Sequence, residues 1–255
     1  MTDPAATPAA MTTQDFAANL AAVQARMAAA CARVGRDIDE VELLPVSKTV
    51  PAQRLRLAYQ AGMRKLGENK VQEARDKSTE LADLADLQWA VIGNLQTNKA
   101  KYVARFAHEF HALDRLKVAE ELDRRLQAEG RGLDVYVQVN SSGEASKFGL
   151  APEDVAAFAR ELPAFSALRV KGLMTLALFS SDLERVRRCF VVMRELRERL
   201  RQSAPGGLSF DGLSMGMSGD FEVAIEEGAT VVRVGQSLFG ARAVPDSHYW
   251  PGAGT

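Results

Sequence analysis

The most reactive candidate in the sequence is a lysine that follows a short apolar segment. Lys48 comes after residues 41–46 and before Pro51, which opens a helical pattern. A short apolar run bounded by turn signals predicts a buried strand, so Lys48 is expected at a strand's carboxyl end, where α/β folds place their chemistry. Burial disfavours the ammonium form, and the neutral amine can form a Schiff base with an aldehyde. The alternative is a solvent-exposed lysine that only ends the strand.

Two loops rich in serine and glycine are candidates for holding a phosphate. Both follow predicted strands and precede helical segments; they contain Ser214, Gly216, Ser218 and Gly219 in one case and Gly235-Gln236-Ser237 in the other. Hydroxyl groups and backbone N–H groups at a helix start can bind a phosphate dianion. One such loop alone is weak evidence, because turns use the same residue types.

Arg233 lies inside the last predicted strand, among apolar residues. A charge there is costly unless it has a partner. The partner is either a carboxylate on a neighbouring element or an acceptor atom of a ligand. A phosphate-bearing aldehyde with a ring nitrogen is pyridoxal 5′-phosphate (PLP). Arginine can only donate, so it would keep that nitrogen unprotonated and make the ring a weak electron sink, poorly suited to transamination.

The elements that must position these residues alternate regularly along the chain. Strands are predicted at residues 41–46, 64–66, 88–92, 109–112, 133–139, 169–173, 210–213 and 230–234. Helices are predicted at residues 51–61, 70–84, 97–106, 115–129, 152–162 and 182–202, with short ones ending at 227 and 239. An extra helix precedes the first strand, capped by Thr12 and Asp15. The repeat predicts a (β/α)₈ TIM barrel, with a doubly wound open sheet as the competitor, and barrels of this kind often bind phosphate after strands seven and eight.

Composition and residue spacing limit the remaining expectations about partners, location, metal sites and domain extent. The 255 residues carry a net charge of −1, which gives no reason to expect nucleic acid as a partner. We expect no membrane span and no signal peptide, a cytoplasmic location, and buried thiols at Cys31 and Cys189 rather than a disulfide. The three histidines lack partners spaced for a metal site. Residues 1–12 are predicted to be a disordered tail, 13–243 a single domain and 244–255 an irregular tail.

Together these segments resemble the YggS/PROSC family of PLP-binding proteins, also called PLP homeostasis proteins. The matching pieces span the barrel and include Ser47-Lys48-Thr49, Gly67-Glu68-Asn69, residues 138–149, Gly172-Leu173-Met174 and residues 214–240. The resemblance implies a barrel like the N-terminal domain of alanine racemase. Departures from the family pattern at Lys70, Asn94 and Ala112 concern the outer pocket.

The resemblance also implies roles for individual residues. Lys48 matches the Schiff-base lysine, and Arg233 matches the arginine at the pyridine nitrogen. Ser218, Gly235 and Gln236 fall at the phosphate, with Ser214 close by, and Asn69 is expected to line the ring or its surroundings. The implied function is a monomeric, non-catalytic carrier and regulator of free PLP, with apo forms of PLP-dependent enzymes as possible recipients.

Two enzymatic alternatives stay open at this point. An amino-acid racemase of this fold takes a second base from a C-terminal domain of the partner subunit, and the sequence offers no clear substitute. A Schiff-base aldolase acting on a sugar phosphate would share the barrel, the lysine and the phosphate site, but its lysine is colourless whereas bound PLP is yellow. Lys147 is either a solvent-exposed loop lysine or a residue that binds a second PLP molecule or guides handover to apo-enzymes.

Overall fold

A computed structural model describes residues 12–144, 146–203 and 205–240 of the chain. The predicted disordered tail therefore lies outside the described residues except for Thr12, which caps the first helix and does not belong to a tail. The predicted irregular tail, 244–255, lies outside them entirely. The extent of the single domain thus stays a prediction at both ends.

Strands and helices alternate as the sequence predicts. The strands are β1 (Glu42–Pro45), β2 (Lys65–Glu68), β3 (Gln88–Val91), β4 (Glu109–Leu113), β5 (Leu133–Val139), β6 (Leu168–Thr175), β7 (Gly212–Ser214) and β8 (Val231–Val234). The helices are α1 (Thr13–Arg33), α2 (Ala52–Gln60), α3 (Val71–Glu80), α4 (Ala100–Phe106), α5 (Leu116–Ala128), α6 (Val155–Glu161), α7 (Leu183–Ser203), α8 (Phe221–Glu226) and α9 (Gln236–Phe239). Short 3₁₀ turns occupy Ile38–Glu40, Thr97–Lys99, Leu162–Ala164 and Pro205–Gly207.

The eight strands form one parallel sheet in the order β1-β8-β7-β6-β5-β4-β3-β2. The two end strands meet just beyond β1, where Val46 bridges to Gly67 and the Ser47 N–H donates to the Gly67 carbonyl at 2.9 Å. This contact closes the sheet into a barrel with helices outside it. The predicted TIM barrel is confirmed, and the open sheet is ruled out. The carboxyl ends of all eight strands, including those that carry candidate residues, consequently meet at one face.

The extra helix α1 supports the end of the chain that follows β8. Its capping box pairs Thr12 and Asp15, as predicted. Phe16 is fully buried and meets the ring of Phe239 edge to face at 5.7 Å. The Asn19 side chain donates to the Leu238 carbonyl at 3.0 Å. Helix α1 therefore fixes α9, and with it the loop that connects β8 to α9.

Three local predictions are wrong. The second strand extends through Gly67 and Glu68, which we expected in a loop because neither residue favours strands. Leu116 and Leu183 share the helical spacing of the apolar faces predicted for residues 115–129 and 182–202, which predicts that both are buried, but they are 40% and 46% exposed. Each is the first residue of its helix, and a side chain at that position projects past the end of the core. Val118 is among the residues that fill the core in that turn of α5.

Within the described part of the chain, every helix is too short or too polar to cross a bilayer. Cys31 and Cys189 are both free and buried, which agrees with the prediction of thiols rather than a disulfide.

Candidate functional site

Lys48 lies at the carboxyl end of β1, beside β8. In the pairing of these strands Leu44 stands opposite Arg233, and the Val46 N–H donates to the Val234 carbonyl at 2.8 Å. Lys48 is only 8% exposed, so it is not the solvent-exposed lysine of the alternative interpretation. The barrel thus brings the candidate nucleophile and the candidate ring-binding arginine onto neighbouring strands.

The backbone directly after Lys48 is strained. Thr49 has a φ of 69°, which is in the left-handed region that β-branched residues rarely adopt. The Thr49 N–H donates to Oε1 of Glu73 on α3 at 2.6 Å. This contact holds the turn that follows Lys48 against the helix after β2.

A second lysine, Lys77 on α3, also holds the turn that follows β1. Lys77 Nζ donates to the Ser47 carbonyl at 2.8 Å and to Oε1 atoms of Glu68 and Glu73 at 2.6 and 2.7 Å. The Ser47 hydroxyl also donates to Glu68 Oε1 at 2.6 Å. We call Ser47, Glu68, Glu73 and Lys77 the Lys77 cluster. Burial and the neighbouring Glu73 raise the pKa of the fully buried Glu68 to about 7, although Lys77 and Ser47 oppose the rise.

Arg233 is buried, 3% exposed, near the carboxyl end of β8. One terminal nitrogen donates to the Ser214 hydroxyl at 2.8 Å and the other to the Thr175 carbonyl at 2.6 Å. No carboxylate lies within ion-pair distance of its guanidinium among residues 12–144, 146–203 and 205–240. Burial lowers the pKa of Arg233 to about 10, with Asp220 opposing, so the group stays charged at neutral pH. The carboxylate partner considered from the sequence is absent from this part of the chain.

Ser214 belongs to the barrel interior rather than to the surface of its loop. Its hydroxyl is fully buried and is 2.9 Å from Nδ1 of His111, whose Nε2 is 2.7 Å from Glu109 Oε2. Glu109 also pairs with Lys65, which contacts Glu42 at 2.5 Å. Ser214 was predicted to bind the cofactor; here its hydroxyl is used by Arg233 and His111. It supports Arg233, and a direct part for Ser214 in cofactor binding stays a prediction.

The two loops predicted to hold phosphate are in contact. The Gly235 N–H donates to the Ser218 hydroxyl oxygen at 3.2 Å, which leaves the hydroxyl proton of Ser218 for another acceptor. Gly235 is the N-cap residue of α9, and Gln236 is its first residue. Gly216 has a φ of 92°, and a Cβ there would lie 2.6 Å from the Cβ of Ala224. Glycine at 216 therefore lets the β7 loop pack tightly on α8.

Asn69 directly follows β2 at the same rim of the barrel and is half-buried. Its backbone approaches the next loop so closely that a Cβ on Gly93 would lie 2.1 Å from the Asn69 carbonyl oxygen. Lys147 donates to the Ala177 carbonyl at 2.9 Å and pairs with Glu144 at 2.5 Å. It thus links the loops after β5 and β6 and is not a freely solvated loop lysine.

The Lys77 cluster and the pair Glu109 and His111 were missed from the sequence. Their residue types are usually found at surfaces, and their partners are distant in the chain. One signal was available: Glu109 and His111 alternate on a predicted strand, so both side chains point to the same face. In a barrel that face can be the interior.

Comparison with known proteins now connects the geometry to a family. The family model "Alanine racemase, N-terminal domain" matches residues 18–243. A protein of Pseudomonas aeruginosa named pyridoxal phosphate homeostasis protein is 46% identical over 89% of this chain and 96% of its own. A protein of the same name from Aquifex aeolicus is 43% identical over 88% of this chain and 96% of its own.

The chain belongs to the pyridoxal phosphate homeostasis protein family. The family resemblance predicted from the sequence is thereby confirmed. PipY of Synechococcus elongatus, solved with PLP bound, superposes on this family member with a TM-score of 0.78 and 36% identity, covering 88% of this chain and all of PipY. Alanine racemase of Corynebacterium glutamicum has a TM-score of 0.68 at 15% identity over 93% of this chain and 64% of its own, which supports the fold alone.

Proposed function

We propose that this protein binds PLP through a Schiff base at Lys48 and acts in PLP homeostasis. The observation that carries the proposal is the buried guanidinium of Arg233, one strand away from Lys48 and without a carboxylate partner in the described part of the chain. A desolvated charge is costly, and a ligand atom with a lone pair would offset part of that cost. The names of the relatives and the PLP bound to PipY support the same ligand.

The donor set fits the three functional groups of PLP. Its aldehyde requires an amine, which Lys48 supplies. Its pyridine nitrogen requires a donor, and a guanidinium has five N–H groups, of which Arg233 uses two on Ser214 and Thr175. Its phosphate requires hydroxyl and N–H donors; Ser218, Gly235 and Gln236 lie together on the two loops that join there, and the Gly235 N–H, which donates to the Ser218 hydroxyl oxygen, would turn to the phosphate on binding. In this proposal Asn69 lines the ring from the β2 side.

A carrier role follows from the choice of arginine at the ring. When bound, PLP supplies an electrophilic carbon and an electron-withdrawing ring, and the ring withdraws electrons most strongly when its nitrogen is protonated. Arg233 stays charged and can only donate, so it holds that nitrogen as an acceptor. The site is therefore poorly suited to transamination, and the proposed role is reversible capture of PLP. Delivery to apo PLP-dependent enzymes, the cytoplasmic location and the monomeric state stay predictions from the sequence.

Reductive trapping tests the proposal. The purified protein is incubated with PLP, its visible spectrum is recorded, borohydride is added, and the labelled peptide is mapped by mass spectrometry. We expect a yellow protein and a single label at Lys48 that is lost in Lys48→Ala. Lys70→Ala is the matched control, since Lys70 is exposed at the same rim and should leave the label unchanged. A label on another residue, or no label, contradicts the proposal.

A second measurement separates a carrier from an enzyme. PLP-loaded protein is incubated with a panel of L-amino acids while chirality and keto-acid formation are followed. We expect no turnover above that of free PLP. Turnover that disappears in Lys48→Ala would make the protein an enzyme.

A further inference from the structure

A continuous hydrogen-bonded series runs through the barrel interior to Arg233. Glu109 and His111 lie on β4, and the 2.7 Å contact between them is followed by the 2.9 Å contact of His111 to Ser214 at the end of β7. The series ends with the 2.8 Å contact from Arg233 on β8. His111 and Ser214 are fully buried, so water does not compete for these contacts.

With a neutral His111 ring and an ionised Glu109, only one arrangement of protons satisfies this series. Arg233 has no acceptor atom, so it donates to Ser214, and the single hydroxyl proton of Ser214 must go to Nδ1 of His111. Nδ1 is then unprotonated, and the remaining proton is on Nε2, which donates to the carboxylate of Glu109. Burial, together with the charges of Arg233 and Lys65, lowers the pKa of His111 although Glu109 opposes this, so the neutral ring is favoured.

Glu109 is suited to hold that tautomer. Burial opposes its ionisation, but the hydrogen bonds that Glu109 accepts from His111 and Lys65, together with the charge of Lys65, lower the pKa of Glu109 below its usual value. An ionised Glu109 accepts only, and so it retains the proton of His111 on Nε2.

We propose that Glu109 and His111 are positioning residues that act through Ser214 to fix the guanidinium of Arg233 in one orientation. The inference rests on the proposed function for its purpose: a fixed guanidinium keeps its remaining N–H groups available to the pyridine nitrogen of PLP. Without the series, the Arg233 side chain would have the Thr175 carbonyl as its one remaining partner in the described residues and could rotate about its terminal bonds. Glu109 and His111 would thus influence the protonation of the pyridine nitrogen through Ser214 and Arg233, without touching the ring themselves.

Four variants separate positioning from bulk packing. His111→Leu removes both ring nitrogens, and Ser214→Ala removes the hydroxyl in the middle. His111→Asn keeps an acceptor oxygen near the position of Nδ1 and loses the contact to Glu109. Phe110→Leu is the matched control, since Phe110 is fully buried on the same strand but takes no part in the series.

The first measurement uses the protein without PLP. Nitrogen-15 NMR of the arginine side chains reports how fast each guanidinium rotates, and Arg233→Lys identifies the Arg233 signals. We expect resolved, slowly exchanging terminal N–H signals for Arg233 in the wild type, in Phe110→Leu and, more weakly, in His111→Asn. They should collapse to an averaged signal in His111→Leu and Ser214→Ala.

The second measurement uses PLP labelled with nitrogen-15 in the ring. In the wild type and Phe110→Leu we expect the shift of an unprotonated, hydrogen-bonded nitrogen. In His111→Leu and Ser214→Ala the shift should move, and PLP affinity should fall about tenfold, as for the loss of one hydrogen bond to a charged group.

Unchanged Arg233 signals in Ser214→Ala would overturn the proposal, and that variant decides the matter if His111→Leu does not fold. A wild-type protein that takes up no PLP would contradict the proposed function instead. The measurement without PLP would then still decide whether the series positions Arg233.

Discussion

The carboxyl of Glu68 makes a testable link between the site and the stability of the fold. It is fully buried at the end of β2, where Ser47 and Lys77 both donate to Oε1. Its other oxygen, Oε2, has no hydrogen-bond partner in the described residues. We predict that Glu68→Gln changes the dependence of unfolding free energy on pH, because glutamine keeps an acceptor for Ser47 and Lys77 but cannot titrate.

The sign follows from the pKa in the two states. Burial raises the pKa of Glu68 from 4.5 to about 7 in the folded protein, so between these values the folded state binds more protons than the unfolded chain. The stability contributed by Glu68 is therefore largest below pH 4.5, falls as pH rises, and levels off above pH 7. A shift of this size corresponds to about 3 kcal/mol. Relative to Glu68→Gln, the wild type should lose about that amount across the interval.

Urea unfolding at half-unit steps from pH 4.5 to 8 measures this difference. Glu80→Gln is the matched control, since Glu80 is an exposed glutamate on the adjacent helix α3 and should give a profile parallel to that of the wild type. If the profiles of the wild type and Glu68→Gln are also parallel, the pKa of Glu68 is the same in the folded and unfolded states, and Lys77 fully compensates its burial. The reasoning about desolvation would then be refuted.

Three further predictions concern the backbone, and urea unfolding at pH 7 checks each. Thr49→Gly should stabilise the fold by up to about 1 kcal/mol, because the left-handed backbone at φ 69° is costly for threonine, and a loss would mean that the threonine side chain has an unrecognised role. Gly172→Ala should destabilise it by about 3 kcal/mol or more, since the new Cβ would lie 1.9 Å from the Gly212 carbonyl oxygen, and a neutral result would show that β6 and β7 can separate. Thr12→Ala should cost about 1 kcal/mol through loss of the cap with Asp15, unless the first turn of α1 frays in both proteins.

The architecture could be predicted because the barrel repeats one pattern. Each apolar segment and the helix after it are visible locally, and a count of eight closes the sheet. The ends of elements were less predictable. Glu68 looked like a loop residue because its burial depends on Lys77, which is nine positions further along and on another element. Local preferences contain no information about such a partner.

The residues of the candidate site also fall into a group that could be predicted from the sequence and a group that could not. The positions of Lys48, Ser218, Arg233 and Gly235 could be anticipated because each lies within or after a predicted strand, and a barrel gathers the carboxyl ends of its strands at one face. The contacts of His111 and Ser214 that support Arg233 could not be anticipated. These two residues are 103 positions apart and meet only when β4 and β7 face each other across the interior. Sequence spacing predicts neighbours along the barrel wall, whereas contacts across its centre depend on how side chains fill it.

The two buried cations on the elements around Lys48 differ in their partners: one has carboxylates and the other has only neutral acceptors. This difference indicates where a ligand is required. Lys77 has two carboxylates, Glu68 and Glu73, within 2.7 Å, so its charge is compensated within the protein. Arg233 has only a hydroxyl and a carbonyl as hydrogen-bond partners in the described residues. Burial lowers its pKa, and among these residues only the charge of Asp220 opposes that effect. A ligand that accepts from Arg233 should therefore bind tightly, and so stabilise the folded state at a given ligand concentration, because it offsets a desolvation cost that the protein alone leaves in place.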